Sequence, residues 1–248
     1  MIVCKSAAEV EKLRQCGRLV REILEELRSR VRPGVTTLEL EKYTAKRLAE
    51  LGARPAFKGY RGYPCCLCTS VNDEIIHGIP SERRLQEGDI VGLDLGVIVE
   101  GFYGDSAITV PVGGISEDAQ KLLQVSEEAL DLAIEKAHLG NRLGDISARI
   151  QGHVEENGFS VVREFVGHGI GRELHEEPQI PNYGQAGRGS LLKEGMVLAI
   201  ETMVNSGGSA LQIKEDRWTA VTTDGKLSAH FEHMVAITRN GPDVLTAL

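Results

Sequence analysis

Three rhythms of apolar and polar positions run along this chain, and each predicts a kind of element. Val10, Leu13, Gly17, Val20, Leu24, Leu27 and Val31 recur at the three-to-four-residue spacing of an amphipathic helix. Ser6-x-x-Glu9 in front of them is a capping box, and Arg32-Pro33-Gly34 is the stop. A second helix opens on Thr36-x-x-Glu39, carries Leu40, Thr44 and Leu48 on one face and ends at Gly52. Ser116 caps a long third helix reaching Lys136, and Asp145 starts a shorter fourth one closed by Gly158.

The second rhythm is that of strands. Apolar, β-prone residues run from Ile90 to Val99, Glu100-Gly101 is a turn signal, and a second run continues to Val112, which predicts a hairpin. A Gly- and Tyr-rich loop, Lys58 to Pro64, leads into a strand through the cysteines to Val71, and Asn72-Asp73-Glu74 turns into Ile75–Pro80. Further strands read at Ser160–Val166, Val197–Val204, Ala210–Lys214, Thr219–Thr222 and Ser228–Thr238. Between Gly169 and about Leu191 the pattern breaks into the third rhythm, a long Gly/Pro-rich loop.

A faint internal echo accompanies these elements. The Gly34–Gly52 and Gly140–Gly158 helices are bounded by glycines at one constant offset, and within that frame Leu40, Thr44 and Leu48 fall on Ile146, Ile150 and Val154. Each follows a longer helix and precedes strands. Two similar halves of this kind place a site at their junction.

Composition changes the picture only by exclusion. At 248 residues with 42% hydrophobic and 26% charged positions, the chain has the make-up of a soluble globular protein with a sizeable core. A net charge of -8 argues against a broad nucleic-acid-binding face. No apolar run approaches the roughly 18 residues of a membrane span, and charges from Lys5 onward interrupt any signal-peptide core. Five cysteines is an odd number, which favours reduced thiols in the cytoplasm over a disulfide framework. Cys65-x-x-Cys68 has a zinc-like spacing but no second pair, so packing or pocket-lining thiols are the better reading.

Two acids interrupt the hairpin. With the turn centred on Glu100-Gly101, Asp94 faces Ala107, and Asp105 is its diagonal neighbour on the same face. Carboxylates converging inside a buried sheet repel unless a cation sits between them. His168 among glycines, Glu201 inside the apolar strand and Glu232 between Phe231 and His233 can complete the set. Four carboxylates and one imidazole suit manganese, iron, cobalt or zinc at a two-metal site. Gly167-x-Gly169-x-Gly171 has the wrong spacing for a nucleotide loop.

Asp94 and Asp105 eleven positions apart, Gly167-His168-Gly169-Ile170-Gly171, His175-Glu176-Glu177-Pro178, Ile200-Glu201 and Phe231-Glu232-His233 resemble type I methionine aminopeptidase in order and spacing. Tyr60-x-x-Tyr63-Pro64 and Asn72-Asp73-x-x-x-His77-Gly78-Ile79-Pro80 extend the likeness over nearly the whole chain. The chain resembles the short bacterial form, without the long insertion of the type II enzymes or the zinc-binding extension of the eukaryotic type I enzymes.

The resemblance implies one domain over residues 1–248 with the α/β (α+β) pita-bread fold: two pseudo-symmetric halves, an antiparallel sheet, and helices packed on its outer face. It implies two divalent metal ions. Asp105 and Glu232 would bridge both, Asp94 would serve one, and His168 and Glu201 the other. The activity implied is removal of N-terminal methionine by a hydroxide bridging those ions, preferentially before a small second residue. His175 would donate to the developing oxyanion, Glu201 would shuttle the proton, and His77 would sit near the second residue. Tyr60, Tyr63, Cys68 and Trp218 would line the methionine pocket. Leu174 where an aromatic residue is frequent, Thr202 where proline is expected, and His230 for a common glutamine depart from the pattern. The expected setting is a cytoplasmic monomer acting on nascent polypeptides, with ribosome association but no basic patch for it, and neither a membrane nor a specific nucleic acid as partner. A prolidase or aminopeptidase P on the same fold, or a non-catalytic relative, are the competing readings.

Overall fold

The computed structural model describes residues 1–247; position 248, the last of the expected span, lies outside them. Helix α1 (Ala7–Arg28) begins on the reciprocal Ser6/Glu9 capping box, and α2 (Thr37–Glu50) on the Thr36/Glu39 box. Helix α3 (Glu117–Ile134) is capped by Ser116, whose side chain accepts the Ala119 N–H. Helix α4 (Leu143–Glu156) starts two residues before the expected Asp145. That acid is the third helical residue, and its carboxylate accepts the Arg142 N–H. An aspartate three residues into a helix can do a capping acid's work from inside it, which is why the sequence pattern misplaces the boundary.

The strands, all antiparallel, are β1 (Arg54–Pro55), β2 (Leu67–Val71), β3 (Glu74–Ile76), β4 (Ile90–Val99), β5 (Phe102–Pro111), β6 (Ser160–Val161), β7 (Val166–Gly169), β8 (Glu176–Pro181), β9 (Val197–Asn205), β10 (Leu211–Ile213), β11 (Ala220–Thr222), β12 (Ser228–Thr238) and β13 (Gly241–Val244). Ten form one sheet along the path β1-β4-β5-β12-β9-β7-β8, with β2 on β4, β13 on β12 and β6 on β9. Strands β10, β11 and β3 form a second, three-stranded sheet. Two expectations are corrected here. The segment read as loop after Gly169 contains β8, an edge strand with a proline at each of positions 178 and 181, residues that mask a strand in any local pattern. The strand read through the cysteines begins only at Leu67, after Cys65 and Cys66.

The β4–β5 hairpin turns at Glu100-Gly101, both with positive φ (50° and 78°), the geometry of a two-residue type I′ turn. Leu93, Leu95 and Val97 on one face of β4 are fully buried in a core shared with Leu13, Val20 and Leu24 of α1. Leu198, Ile200 and Val204 of β9 and Phe231 of β12 share a second core with Leu122 and Leu130 of α3 and Ile146 and Ile150 of α4. The helices therefore cover one face of the sheet, and the opposite face is left for the site. The glycine-bounded helices correspond: α2 and α4 have equal length, and Thr36 and Arg142, each just before its helix, make equivalent isolated bridges to Arg84 and Leu191.

Candidate metal centre

Sheet register alone brings most of the expected donors together. Cys68 pairs with Asp94, Asp94 with Ala107, Ala107 with Glu232, and Glu232 with Glu201, so one row crosses β2, β4, β5, β12 and β9. Directly paired residues share a face, as do residues two apart on a strand. Asp105 therefore joins Ala107 on the site face. His168 joins it by pairing with Ala199, two residues before Glu201. His230, two residues before Glu232, also faces the site.

Donor atoms of Asp105, His168 and Glu232 lie within 4.8 Å of one another. His168 Nε2 is 3.9 Å from Asp105 Oδ2 and 3.9 Å from Glu201 Oε1. Its Nδ1 sits 2.9 Å from the Gly169 carbonyl, which holds that nitrogen as the protonated one and leaves Nε2 as a lone-pair donor. Oδ1 of Asp94, Oδ1 of Asp105 and Oε1 of Glu232 are buried without a hydrogen-bond partner among the described residues. Burial raises the Asp94 carboxyl to about 7. Burial, and then the neighbouring acids, hold Asp105 and Glu232 well above the usual carboxylate range. For Glu201, burial pushes upward but His230 beside it and the nearby imidazoles prevail, leaving it below its ordinary value. Unpartnered acid oxygens that raise one another's pKa form a site that fits a divalent cation.

The donors open onto a cavity of about 300 Å³. Tyr63, Cys68, Leu174 and Trp218 are among its walls, with Tyr60 and His175 at its rim. Tyr63 and Trp218 meet edge to face at 5.1 Å between centroids, and the Tyr63 hydroxyl donates to the carbonyls of Leu67 and Gly78. His77 occupies the left-handed region (φ 60°) and its ring stands edge-on to Phe165 and Trp218. Such a backbone is uncommon for a residue with a side chain and is held only where its surroundings fix it. Here they do: a Cβ on the following Gly78 would lie 2.1 Å from the Thr69 carbonyl oxygen. Of the departures, Leu174 is a buried wall residue. Thr202 points to the helix face, where its hydroxyl donates to the Ser126 carbonyl of α3. His230 places Nε2 3.5 Å from Glu201 Oε2.

Some contacts around the site had no local signal in the sequence. Glu41 of α2 accepts the N–H groups of Cys66 and Leu67, anchoring the approach to Cys68. Ser106 donates to the Glu232 carbonyl, and Thr109 both donates to the His230 carbonyl and accepts its N–H. Asp105 N–H meets the Met234 sulfur at 3.2 Å.

The model of metallopeptidase family M24 matches residues 11–239. The chain belongs to metallopeptidase family M24. Within M24, it is 52% identical over 248 residues to a methionine aminopeptidase of Clostridium perfringens, each chain covered in full. It is 50% identical over 246 residues to methionine aminopeptidase 1 of Bacillus subtilis, with 99% of each covered. The crystal structure of the Thermotoga maritima methionine aminopeptidase superposes with a TM-score of 0.98 at 47% identity, both chains fully covered. A prolidase from Pyrococcus horikoshii shares the fold alone (TM-score 0.80, 23% identity) and is covered over only 64% of its length. The M24 fold is thus the expected pita-bread arrangement of helices on the outer face of an antiparallel sheet. No helix among the described residues of this M24 peptidase is long and apolar enough to cross a membrane.

Proposed function

We propose that this chain, acting as one domain, is a methionine aminopeptidase that removes N-terminal methionine from nascent polypeptides in the cytoplasm, most readily before a small second residue. The observation that carries the reading is the cluster of Asp105, His168 and Glu232 donor atoms, with Asp94 and Glu201 lining the same cavity, beneath walls of Tyr63, Cys68 and Trp218. Asp94, Asp105, His168, Glu201 and Glu232 would hold two divalent ions, cobalt, manganese, iron or zinc. Such ions supply Lewis-acid polarisation of the scissile carbonyl and a water acidic enough to attack at neutral pH.

The protein's own groups do the rest. Aromatic edges and a thiol pack well against a thioether, so Tyr60, Tyr63, Cys68 and Trp218 recognise the methionine side chain. Glu201, the acid whose carboxyl is held below its ordinary value, accepts a proton from the attacking water and delivers it to the leaving amine. His175 at the cavity rim donates to the carbonyl oxygen as charge develops there, a contribution of about 10²-fold or more in rate. His77, fixed by its backbone, bounds the space for the second residue and so sets the preference for a small one.

The test pairs metal content with peptides. Protein refolded without metal and titrated with cobalt, manganese, iron or zinc should cleave Met-Ala-Ser and leave Xaa-Pro substrates intact. Asp105→Ala should lose both bound metal and hydrolysis, and full activity in that variant would sink the proposed site.

A further inference from the structure

Tyr60 lies in a short 3₁₀ turn (Tyr60–Gly62) whose neighbours Gly59, Arg61 and Gly62 all have positive φ (88°, 48° and 91°). The turn is closed by the Gly59 N–H to the Tyr63 carbonyl at 2.8 Å and the Tyr60 N–H to the Phe57 carbonyl at 2.9 Å. So constrained, the Tyr60 hydroxyl reaches across to His175, with Oη 2.8 Å from Nδ1 and the ring centroids 5.2 Å apart. That contact is the hydroxyl's only hydrogen bond to protein among the described residues. On its other side His175 leans on His168, at 4.3 Å between centroids.

We infer that Tyr60 is a positioning residue, whose hydroxyl donates to Nδ1 of His175 and so keeps the imidazole proton on Nε2. Between a phenol and an imidazole, the phenol is the stronger acid and the imidazole nitrogen the stronger base, so the favoured bond runs O–H to N. The Arg61 guanidinium, 5.4 Å from the centre of the Tyr60 ring, draws on the same ring and sharpens the phenol as a donor. With Nδ1 occupied as acceptor, Nε2 is the one nitrogen left for substrate, and it carries the hydrogen. An oxyanion needs a donor in that position; the opposite tautomer would present a lone pair to it and repel it. The inference rests on the donor role proposed for His175 and assigns Tyr60 a task beyond lining the methionine pocket.

Long-range proton–nitrogen correlation on zinc-loaded protein labelled with nitrogen-15 histidine reads the tautomer without any turnover, with His175→Gln identifying the signals. The expected wild-type spectrum has His175 protonated at Nε2 and bare at Nδ1. Tyr60→Phe, which keeps the ring and the pocket wall, should move the proton partly to Nδ1. It should also lower kcat on Met-Ala-Ser about tenfold, the loss of one neutral hydrogen bond, with KM changed less than about twofold. A wild-type His175 protonated at Nδ1 would overturn the inference, as would a Tyr60→Phe variant with both tautomer and kcat unchanged. A shifted tautomer with unchanged kcat would uphold the Tyr60 contact and count against His175 as the oxyanion donor. If Met-Ala-Ser is not cleaved at all, the proposed function fails while the spectrum still decides the tautomer.

Discussion

His230 shows how much one side chain on the site face can carry. Its backbone is tied to Thr109 at both N–H and carbonyl, its ring is buried, and Nε2 stands 3.5 Å from Glu201 with no hydrogen-bond partner among the described residues. A protonated Nε2 so placed would attract one Glu201 oxygen while the other stands 3.9 Å from His168. Groups that orient ligands in this way are worth roughly 10–100-fold in metal affinity. His230→Ala should therefore weaken zinc binding about tenfold, measured by competition with a chromogenic chelator. Unchanged affinity would make His230 a wall residue and no more. The residue type was legible as a departure in the sequence, but its neighbour was not. Glu201 lies 29 positions away, and only the β9–β12 register brings the two together.

At the scale of elements, legibility followed the range of the interaction. The β4–β5 hairpin was readable to the residue, Asp94 opposite Ala107, because a two-residue turn fixes register locally. Thr202 makes the complementary point. Strand alternation places it opposite in sense to Glu201, so its hydroxyl binds α3 and its departure from the family pattern belongs to packing, not to the cavity. Helix α2 reaches the site by a route that no periodicity reports. Its Glu41 carboxylate takes the two N–H groups that precede Cys68, and deleting it leaves both buried and unpaired. Glu41→Ala should cost on the order of 2–4 kcal/mol in stability. It should also raise KM for Met-Ala-Ser as the loop bearing Tyr60 and Tyr63 loosens. Urea unfolding together with steady-state kinetics checks both; a stability loss with unchanged KM would confine Glu41 to the scaffold.

For the molecule as a whole, the proposed donors come from five strands, β4, β5, β7, β9 and β12, spanning both halves of the sheet. A cation held there binds only the folded chain, so it raises stability by mass action: about 4 kcal/mol when the free ion is a thousandfold above its dissociation constant. Chelation should lower the unfolding midpoint of the wild type and leave that of Asp105→Ala where it was; equal shifts in both would place the stabilising ion elsewhere. At the middle of the row that crosses β2, β4, β5, β12 and β9 stands Ala107, 1% exposed, with Asp94 on one side and Glu232 on the other. Its side chain is a single methyl group, on the face that also carries both acids. Strand propensity alone would favour valine or isoleucine there, and either would put more bulk between the two acids with all five proposed donors still in the chain. The proposed capacity to hold an ion would thus depend on the smallness of a neighbouring residue as well as on the acids themselves.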